Sequence, residues 1–171
     1  QLQVIRPADA NETVAAWRAA VAHDGPTALV LSRQNLTVVT DGSAVVTGAG
    51  IVLDDPQAQV VLLATGSEVS LCGEAAARLA TAGIAVRVVS MPSWDRFEAQ
   101  SAAFRQSVLP AGVPVLSVEA ATTFGWARWA DDSIGIDRFG ASAPGAEVLD
   151  QLGINVANVV ARATALAHTK G

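Results

Sequence analysis

Short apolar runs alternate with amphipathic stretches along most of this chain, and the alternation predicts strands and helices in turn. The runs VVLLAT (60–65), AVRVVSM (85–91) and VPVLSVE (113–119) are typical of strands buried on both faces. DSIGID (132–137) predicts a shorter fourth strand. A strand, a helix and another strand in succession imply parallel pairing through a right-handed crossover. We therefore predict an α/β fold of three layers, with helices on both faces of a parallel sheet.

Polar residues and glycines mark the predicted ends of the helices. Asp9 is the predicted N-cap of the first helix, and Glu12 three residues later completes a capping-box pattern. Ser67 is predicted to cap a second helix, which Gly83 ends. Asn155 is predicted to cap a terminal amphipathic helix. These signals place a helix next to each of the main predicted strands.

The segment at 40–59 (TDGSAVVTGAGIVLDDPQAQ) breaks the alternation. Its Gly, Asp and Pro residues surround two short apolar runs, which is typical of a linker with one or two short strands. We therefore divide the chain into residues 1–55 and 56–171. The sequence begins without Met, and its first clear element is a helix. We expect the chain to be part of a longer protein.

Composition narrows the function classes. A length of 171 residues suits one domain, or one domain and a piece of another. The net charge of −5 and only 11 Lys and Arg residues argue against nucleic-acid binding through a basic surface. The apolar runs are too short to span a membrane. A single cysteine excludes an internal disulfide framework and favours a reducing compartment, so we expect a cytoplasmic protein.

Several side chains could carry chemistry, but each has a structural interpretation that is more common. His23 and His168 lie near predicted helix C-termini, where a cation complements the helix dipole. Cys72 lies on an apolar helix face and is expected to be buried and inert. The strand–turn–helix motif ATGSEVS (64–70) could bind an anion at free backbone N–H groups. Capping by Ser67 is favoured there, because Glu68 would repel a phosphate.

The acidic and aromatic residues of the second half give no catalytic pattern. Six carboxylates could contain an acid–base pair, but no spacing selects two of them, so solvated or ion-paired roles are favoured; they are Asp95, Glu98, Glu119, Asp131, Asp132 and Asp137. Seven aromatic residues could stack on a ligand, although core or subunit packing is more common; they are Trp94, Phe97, Phe104, Phe124, Trp126, Trp129 and Phe139. No metal-ligand spacing is present.

The stretch LVLSRQNL (29–36) raises a sharper possibility. Leu29, Val30 and Leu31 predict a strand buried on both faces, and Arg33 follows where that strand would leave the sheet. Ligands of α/β proteins collect at the carboxyl ends of parallel strands. A guanidinium there can bind a phosphate with two parallel hydrogen bonds. Spacing alone leaves this role and a structural salt bridge equally favoured.

Seven motifs together resemble the transketolase family, in the family's order and at its spacing. They are RPADANE, GPTALVLSRQNL, ATGSEVSL, GIAVRVVSMPSWDRFEAQ, SVLP, SVEAATTFGW and IGIDRFGASAPGAEVLDQLG. The resemblance covers essentially the whole chain but only the C-terminal quarter or so of the family's length. It implies that residues 1–55 are the end of the pyrimidine-binding domain. Residues 56–171 would be the C-terminal domain, a three-layer α/β fold with a mostly parallel five-stranded sheet.

The resemblance also implies a function. Full-length transketolases are homodimers of the pentose phosphate pathway that move a two-carbon ketol unit from a ketose phosphate to an aldose phosphate. They use thiamine diphosphate and Mg²⁺ or another divalent cation. Arg33 matches the family's arginine that binds the substrate phosphate. The family's catalytic, cofactor-binding and metal-binding residues lie upstream of this region, so we expect none in this chain, and we expect the chain alone to be inactive.

Two other interpretations stay open at this point. The chain could be a stand-alone α/β domain that binds an anion or a partner. It could also be part of another thiamine-diphosphate enzyme, such as a deoxyxylulose-phosphate synthase or a two-oxo-acid dehydrogenase subunit. The phrases SRQNL and IGIDRFGASAP favour transketolase over both.

Overall fold

The computed structural model describes residues 2–169 and contains two sheets. A parallel two-stranded sheet lies near the N-terminus, and a five-stranded sheet forms the centre of the remainder. The elements in chain order are β1 (Gln3–Ile5), α1 (Ala10–Val21), β2 (Thr27–Leu29), α2 (Ala44–Thr47), β3 (Gly50–Leu53), β4 (Val60–Ala64), α3 (Glu68–Thr81), β5 (Val86–Ser90), α4 (Trp94–Glu98), α5 (Ala102–Val108), β6 (Val115–Val118), a 3₁₀ turn (Trp126–Arg128), β7 (Asp132–Ile134), α6 (Gly145–Gln151) and α7 (Val156–Thr169).

The N-terminal unit consists of β1, α1 and β2. Its helix begins as predicted, because the Asp9 carboxylate accepts a hydrogen bond from the Glu12 N–H at 3.0 Å. The Glu12 side chain turns back and accepts one from the Ala8 N–H at 2.7 Å. The two bonds satisfy N–H groups that have no partner inside the helix. The Asp9 cap is therefore confirmed, and Glu12 reaches one residue further back than a capping box requires. No sequence pattern indicates β1, which is too short to show a period.

The five-stranded sheet has the strand order β3-β5-β4-β6-β7. Strands β4 to β7 pair in parallel, and β3 runs antiparallel to β5 at one edge. The predicted mostly parallel five-stranded sheet is confirmed. Its antiparallel strand lies inside the segment at 40–59, where one or two short strands were expected. The sheet therefore begins at Gly50, before the predicted division after residue 55.

Helices cover both faces of this sheet, which confirms the three-layer prediction. The strand β4 is buried throughout, and its residues alternate between the two faces. Leu62 belongs to the core cluster that contains Cys72 of α3 and Val159 of α7. Leu63 faces the opposite layer, which includes Phe97 of α4. Apolar residues on both faces are what a parallel sheet with two helical layers requires.

The aromatic residues divide between core and surface. Phe97 is fully buried and Trp126 almost so, in agreement with the packing role favoured from sequence. Trp129 stacks at a tilt on Phe97, with ring centroids 5.1 Å apart. Phe124 and Phe139 are exposed in the described part of the chain.

Two local predictions are wrong. Ser67 stands before α3 but has helical backbone angles, and its hydroxyl donates to the Glu68 carboxylate at 2.6 Å instead of capping the helix. An N-cap residue normally has an extended backbone, which Ser67 does not have. The predicted strand through Leu31 ends at Leu29, and Val30 and Leu31 are half exposed. Within residues 2–169, β2 pairs only with β1, and no further layer covers these two side chains.

The structure also shows the predicted ends of two helices, at Asn155 and Gly83. Asn155 accepts a hydrogen bond from the Asn158 N–H at 2.8 Å, which confirms its capping role. Gly83 follows α3 with a left-handed backbone, as the predicted helix end requires. None of the helices in the described part of the chain has the length and apolar character needed to cross a bilayer.

Candidate functional site

A cleft of about 1150 Å³ opens between the N-terminal unit and the carboxyl edge of the five-stranded sheet. One wall is the loop that follows β2, from Val30 to Gln34. The other wall contains residues just after β4, β5 and β6, namely Thr65, Met91 and Glu119. The lining is mainly apolar. The position agrees with the general rule that α/β proteins bind ligands at the carboxyl ends of parallel strands.

Arg33 lies in the wall of this cleft. It is exposed, and its guanidinium has neither an ion pair nor a hydrogen bond with any residue between 2 and 169. The salt-bridge interpretation therefore finds no partner among the described residues. A guanidinium has five N–H donors, so an arginine without partners is available to an anion that enters the cleft. The structure places Arg33 at a concave surface, and its role in binding a phosphate stays a prediction.

A second arginine, which the sequence analysis missed, occupies the crevice between β4 and β6. Arg6 follows β1, and its Nη1 atom lies 2.6 Å from Glu68 Oε2 and 2.8 Å from Glu119 Oε1. The same atom donates to the carbonyl oxygen of Thr65 at 2.8 Å and to its hydroxyl at 2.6 Å. The Thr65 hydroxyl in turn donates to Glu119 Oε2 at 2.6 Å. We call these four residues the Arg6 cluster.

The carboxylates of the Arg6 cluster are buried, so their charges must be compensated inside the protein. The Glu68 and Glu119 side chains are 2 % and 10 % exposed, so both carboxylates depend on Arg6 for compensation. Burial raises the pKa of Glu119, and the nearby Arg6 guanidinium opposes that rise. No sequence signal joins Arg6 to these acids, because the partners are far apart in the chain and come together only through the sheet.

The Arg6 cluster also determines whether the ATGSEVS motif can bind an anion. A Cβ atom on Gly66 would lie 2.4 Å from the Arg6 Cζ atom, so the arginine fills the space beside this turn. The Glu68 carboxylate accepts a hydrogen bond from the Ala120 N–H at 3.1 Å. The buried ion pair between Arg6 and Glu68 therefore occupies the place beside this turn where an anion could have bound. The interpretation of the motif as structural holds, although Ser67 does not cap the helix in the predicted way.

The loop that carries Arg33 is tied to the N-terminal unit through Asp9. This buried carboxylate accepts hydrogen bonds from the N–H groups of Val39 and Thr40, each at 2.7 Å. Burial opposes ionisation of Asp9, but hydrogen bonds from Glu12, Val39 and Thr40 outweigh it and hold the pKa of Asp9 below its ordinary range. Asp9 is therefore a charged acceptor at neutral pH.

The other candidates take the structural roles that were favoured. His168 lies in the last turn of α7, and His23 follows the end of α1. Cys72 is fully buried, and burial raises the pKa of its thiol well above the ordinary value. Asp132 pairs with Arg162, and Glu98 pairs with Arg128. Across residues 2–169, no group of three or more His, Cys, Asp or Glu side chains is arranged to hold a metal ion.

Comparisons with known proteins identify relatives over the whole chain. Residues 48–155 match the family described as "Transketolase-like TK C-terminal domain", and residues 1–39 match "Transketolase, pyrimidine binding domain". The chain is 49 % identical to the transketolase of Halalkalibacterium halodurans over 99 % of its own length, and 49 % identical to that of Bacillus subtilis over 96 %. It covers 27 % and 26 % of these relatives, and so spans about a quarter of their length.

Solved structures give the same result. A transketolase from Leishmania mexicana matches 99 % of this chain with a TM-score of 0.94 and 46 % identity, and 26 % of that protein is covered. A transketolase from Pichia stipitis, solved in complex with sedoheptulose-7-phosphate, matches 98 % of the chain with a TM-score of 0.94 and 37 % identity. A quarter (25 %) of that protein is covered.

Proposed function

This chain belongs to the transketolase family, and from that premise we propose that it is the C-terminal portion of an enzyme that transfers a two-carbon ketol unit from a ketose phosphate to an aldose phosphate, in the pentose phosphate pathway. The observation that carries the proposal is Arg33. It stands without a partner among the described residues in the wall of a large cleft, at the position that matches the family's phosphate-binding arginine. The Pichia stipitis relative named above was solved with a phosphorylated ketose, which supports this substrate class.

Arg33 would act on the end of the substrate that does not react. A planar guanidinium donates two parallel hydrogen bonds to a phosphate and cannot lose its charge at physiological pH. The binding energy gained there orients the sugar, and orientation lowers the barrier for chemistry at the distant carbonyl group. Arg33 is thus proposed as a binding residue, and no catalytic residue is assigned to this chain.

The proposal places the cofactor and the metal ion in the whole enzyme and not in this chain. By resemblance to the family, whose cofactor and metal ligands lie upstream of this region, we assign thiamine diphosphate and Mg²⁺, or another divalent cation, to parts of the whole enzyme outside this chain. The chain alone should be inactive and should show no saturable heat of binding with thiamine diphosphate in calorimetry. A clear binding isotherm would contradict this assignment. The whole enzyme is further proposed to be a cytoplasmic homodimer.

The division of the chain also remains a proposal. We assign the first part to the end of the pyrimidine-binding domain and the second to the C-terminal domain, with the division predicted after residue 55. The start of the C-terminal family match at residue 48 and the pairing of β3 with β5 favour a division a few residues earlier.

The phosphate role of Arg33 is tested in the complete enzyme with Arg33→Ala. One charge-assisted hydrogen bond is worth about 1.5–3 kcal/mol, so KM for phosphorylated ketoses should rise by roughly 10- to 150-fold. KM for a small unphosphorylated ketol donor should change little. Arg78→Ala is the matched control, because Arg78 is exposed on α3 and does not line the cleft. Equal losses on both donors would refute the phosphate assignment.

A further inference from the structure

Among residues 2–169, the loop that carries Arg33 makes hydrogen bonds only near its two ends. It connects β2 to α2 and has no regular secondary structure. At its start, the Val30 N–H donates to the Ile5 carbonyl oxygen at 2.9 Å. Residues 31–38 then make no hydrogen bond or ion pair with any residue between 2 and 169. The course of the loop past the cleft therefore depends on where its far end is fixed.

Asp9 fixes that far end, together with Asn11, whose Nδ2 atom donates to the Thr40 carbonyl oxygen at 2.7 Å. Its Oδ2 atom accepts from the Val39 and Thr40 N–H groups, each at 2.7 Å. Its Oδ1 atom accepts from the Thr40 hydroxyl at 2.9 Å and from the Glu12 N–H at 3.0 Å. Asp9 is only 2 % exposed, so these bonds compete little with water. One carboxylate thus caps α1 with one oxygen and holds the Arg33 loop with both.

We propose that Asp9 is a positioning residue for Arg33. By fixing Val39 and Thr40 to the start of α1, it limits the conformations that the free segment at 31–38 can adopt and keeps the guanidinium at the cleft. A binding loop that is ordered beforehand does not lose conformational entropy when the ligand arrives, and its affinity is correspondingly higher. The proposal rests on the proposed function for the identity of the ligand, and on the geometry alone for the restraint of the loop.

The variant Asp9→Asn separates the two tasks of this side chain. Asparagine is as good an N-cap as aspartate and keeps one acceptor oxygen. Its amide group, however, puts N–H donors where the second carboxylate oxygen accepts the two loop N–H groups. Thr40→Val is a milder variant that removes only the hydroxyl contact. Asp9→Ala removes both the cap and the loop contacts and shows the cost of losing the helix start.

The kinetic test uses the complete enzyme with a phosphorylated ketose and an unphosphorylated ketol donor. Asp9→Asn should raise KM for the phosphorylated ketose by roughly tenfold, the lower end of the range expected for Arg33→Ala, because the loop must then be ordered on binding; kcat and the unphosphorylated donor should change little. In an Arg33→Ala background the same substitution should raise KM no further, because Asp9 acts through Arg33. Additive losses, or equal losses on both donors, would overturn the proposal.

Hydrogen exchange supplies a readout that does not depend on the substrate. In Asp9→Asn, peptides covering residues 31–40 should exchange faster, while the peptide containing the Glu12 N–H keeps its protection. Unchanged exchange at 31–40 would overturn the restraint of the loop, whatever Arg33 binds. If Arg33→Ala fails to separate the two donors but exchange at 31–40 accelerates in Asp9→Asn, the phosphate assignment fails and the positioning of the loop stands.

Discussion

Replacing Arg6 by alanine should destabilise the fold far more than removing any surface arginine. The substitution leaves the Glu68 and Glu119 carboxylates buried, at 2 % and 10 % exposure, without the guanidinium that lies 2.6 and 2.8 Å from them. Breaking a buried ion pair by removing one partner typically costs about 3–5 kcal/mol. We expect Arg6→Ala to lower the free energy of unfolding by about that amount at neutral pH.

The pH dependence of this loss identifies its cause. Burial raises the pKa of Glu119 above its ordinary value of 4.5, and Arg6 holds the rise in check. Without Arg6 the pKa in the folded state should rise further, so the folded protein takes up a proton that the unfolded chain does not hold. The penalty of Arg6→Ala should therefore be smallest near the ordinary pKa and grow as the pH rises through the raised one. A loss of packing alone would not vary with pH.

Urea unfolding of this chain at about pH 5 and about pH 8 measures both effects. Arg162→Ala is the matched control, because the Arg162 and Asp132 side chains are 42 % and 31 % exposed, and such pairs contribute less than about 1 kcal/mol. Similar losses for Arg6→Ala and Arg162→Ala at the higher pH would refute the reasoning. A loss for Arg6→Ala that is the same at both pH values would refute the electrostatic explanation.

Two further predictions concern stability and need only this chain. Glu12 is fully buried, and burial raises its pKa above 4.5. The free energy of unfolding should therefore fall as the pH rises from 4.5 through the raised pKa, and Glu12→Gln should remove the contribution of Glu12 to this fall in urea titrations. Parallel pH profiles for the two proteins would contradict this prediction. Gly48 has φ +86°, and a Cβ atom there would lie 2.1 Å from the Phe97 nitrogen and 2.4 Å from the Ser93 oxygen. Gly48→Ala should therefore cost more than about 4 kcal/mol or prevent folding. Gly83 is the control, because it has φ +79° but no atom lies within 4 Å of the added Cβ. Gly83→Ala should cost about 1–2 kcal/mol in the same urea titrations. Equal losses of stability at Gly48 and Gly83 would show that the close contact at Gly48 does not cause the larger expected loss.

The sequence predicted the features that local physics controls. The three long strands, the Asp9 cap of α1 and the Asn155 cap all depend on residues within a few positions of each other, so their pattern is visible along the chain. The strand β3 was harder to predict, because it is short and its stability comes from pairing with β5. Val30 and Leu31 have the composition of a buried strand, but no described layer covers them. Composition alone does not tell where a sheet ends.

In the candidate site, too, local features could be predicted and features that join distant parts of the chain could not. Arg33 could be selected as a candidate, because it follows an apolar run in a motif that resembles a known family. The Arg6 cluster could not, since it joins residues that follow β1, β4 and β6 with Glu68 at the start of α3. Asp9 was predicted as a helix cap, and its second role as an anchor of the Arg33 loop depends on Val39 and Thr40, which carry no sequence signal for such a contact.

The Arg6 cluster has a consequence for how this region can be inherited or exchanged between proteins. The two family matches divide between residues 39 and 48, which suggests modules that recombination could separate. The backbone of Arg6 also bridges the two parts, with its N–H donating to Pro92 and its carbonyl accepting from Gly66. A C-terminal module transplanted without its own arginine would bring two buried acids into a host that does not neutralise them. Successful chimaeras should therefore either carry the cut upstream of β1 or supply an arginine from the recipient at the same place.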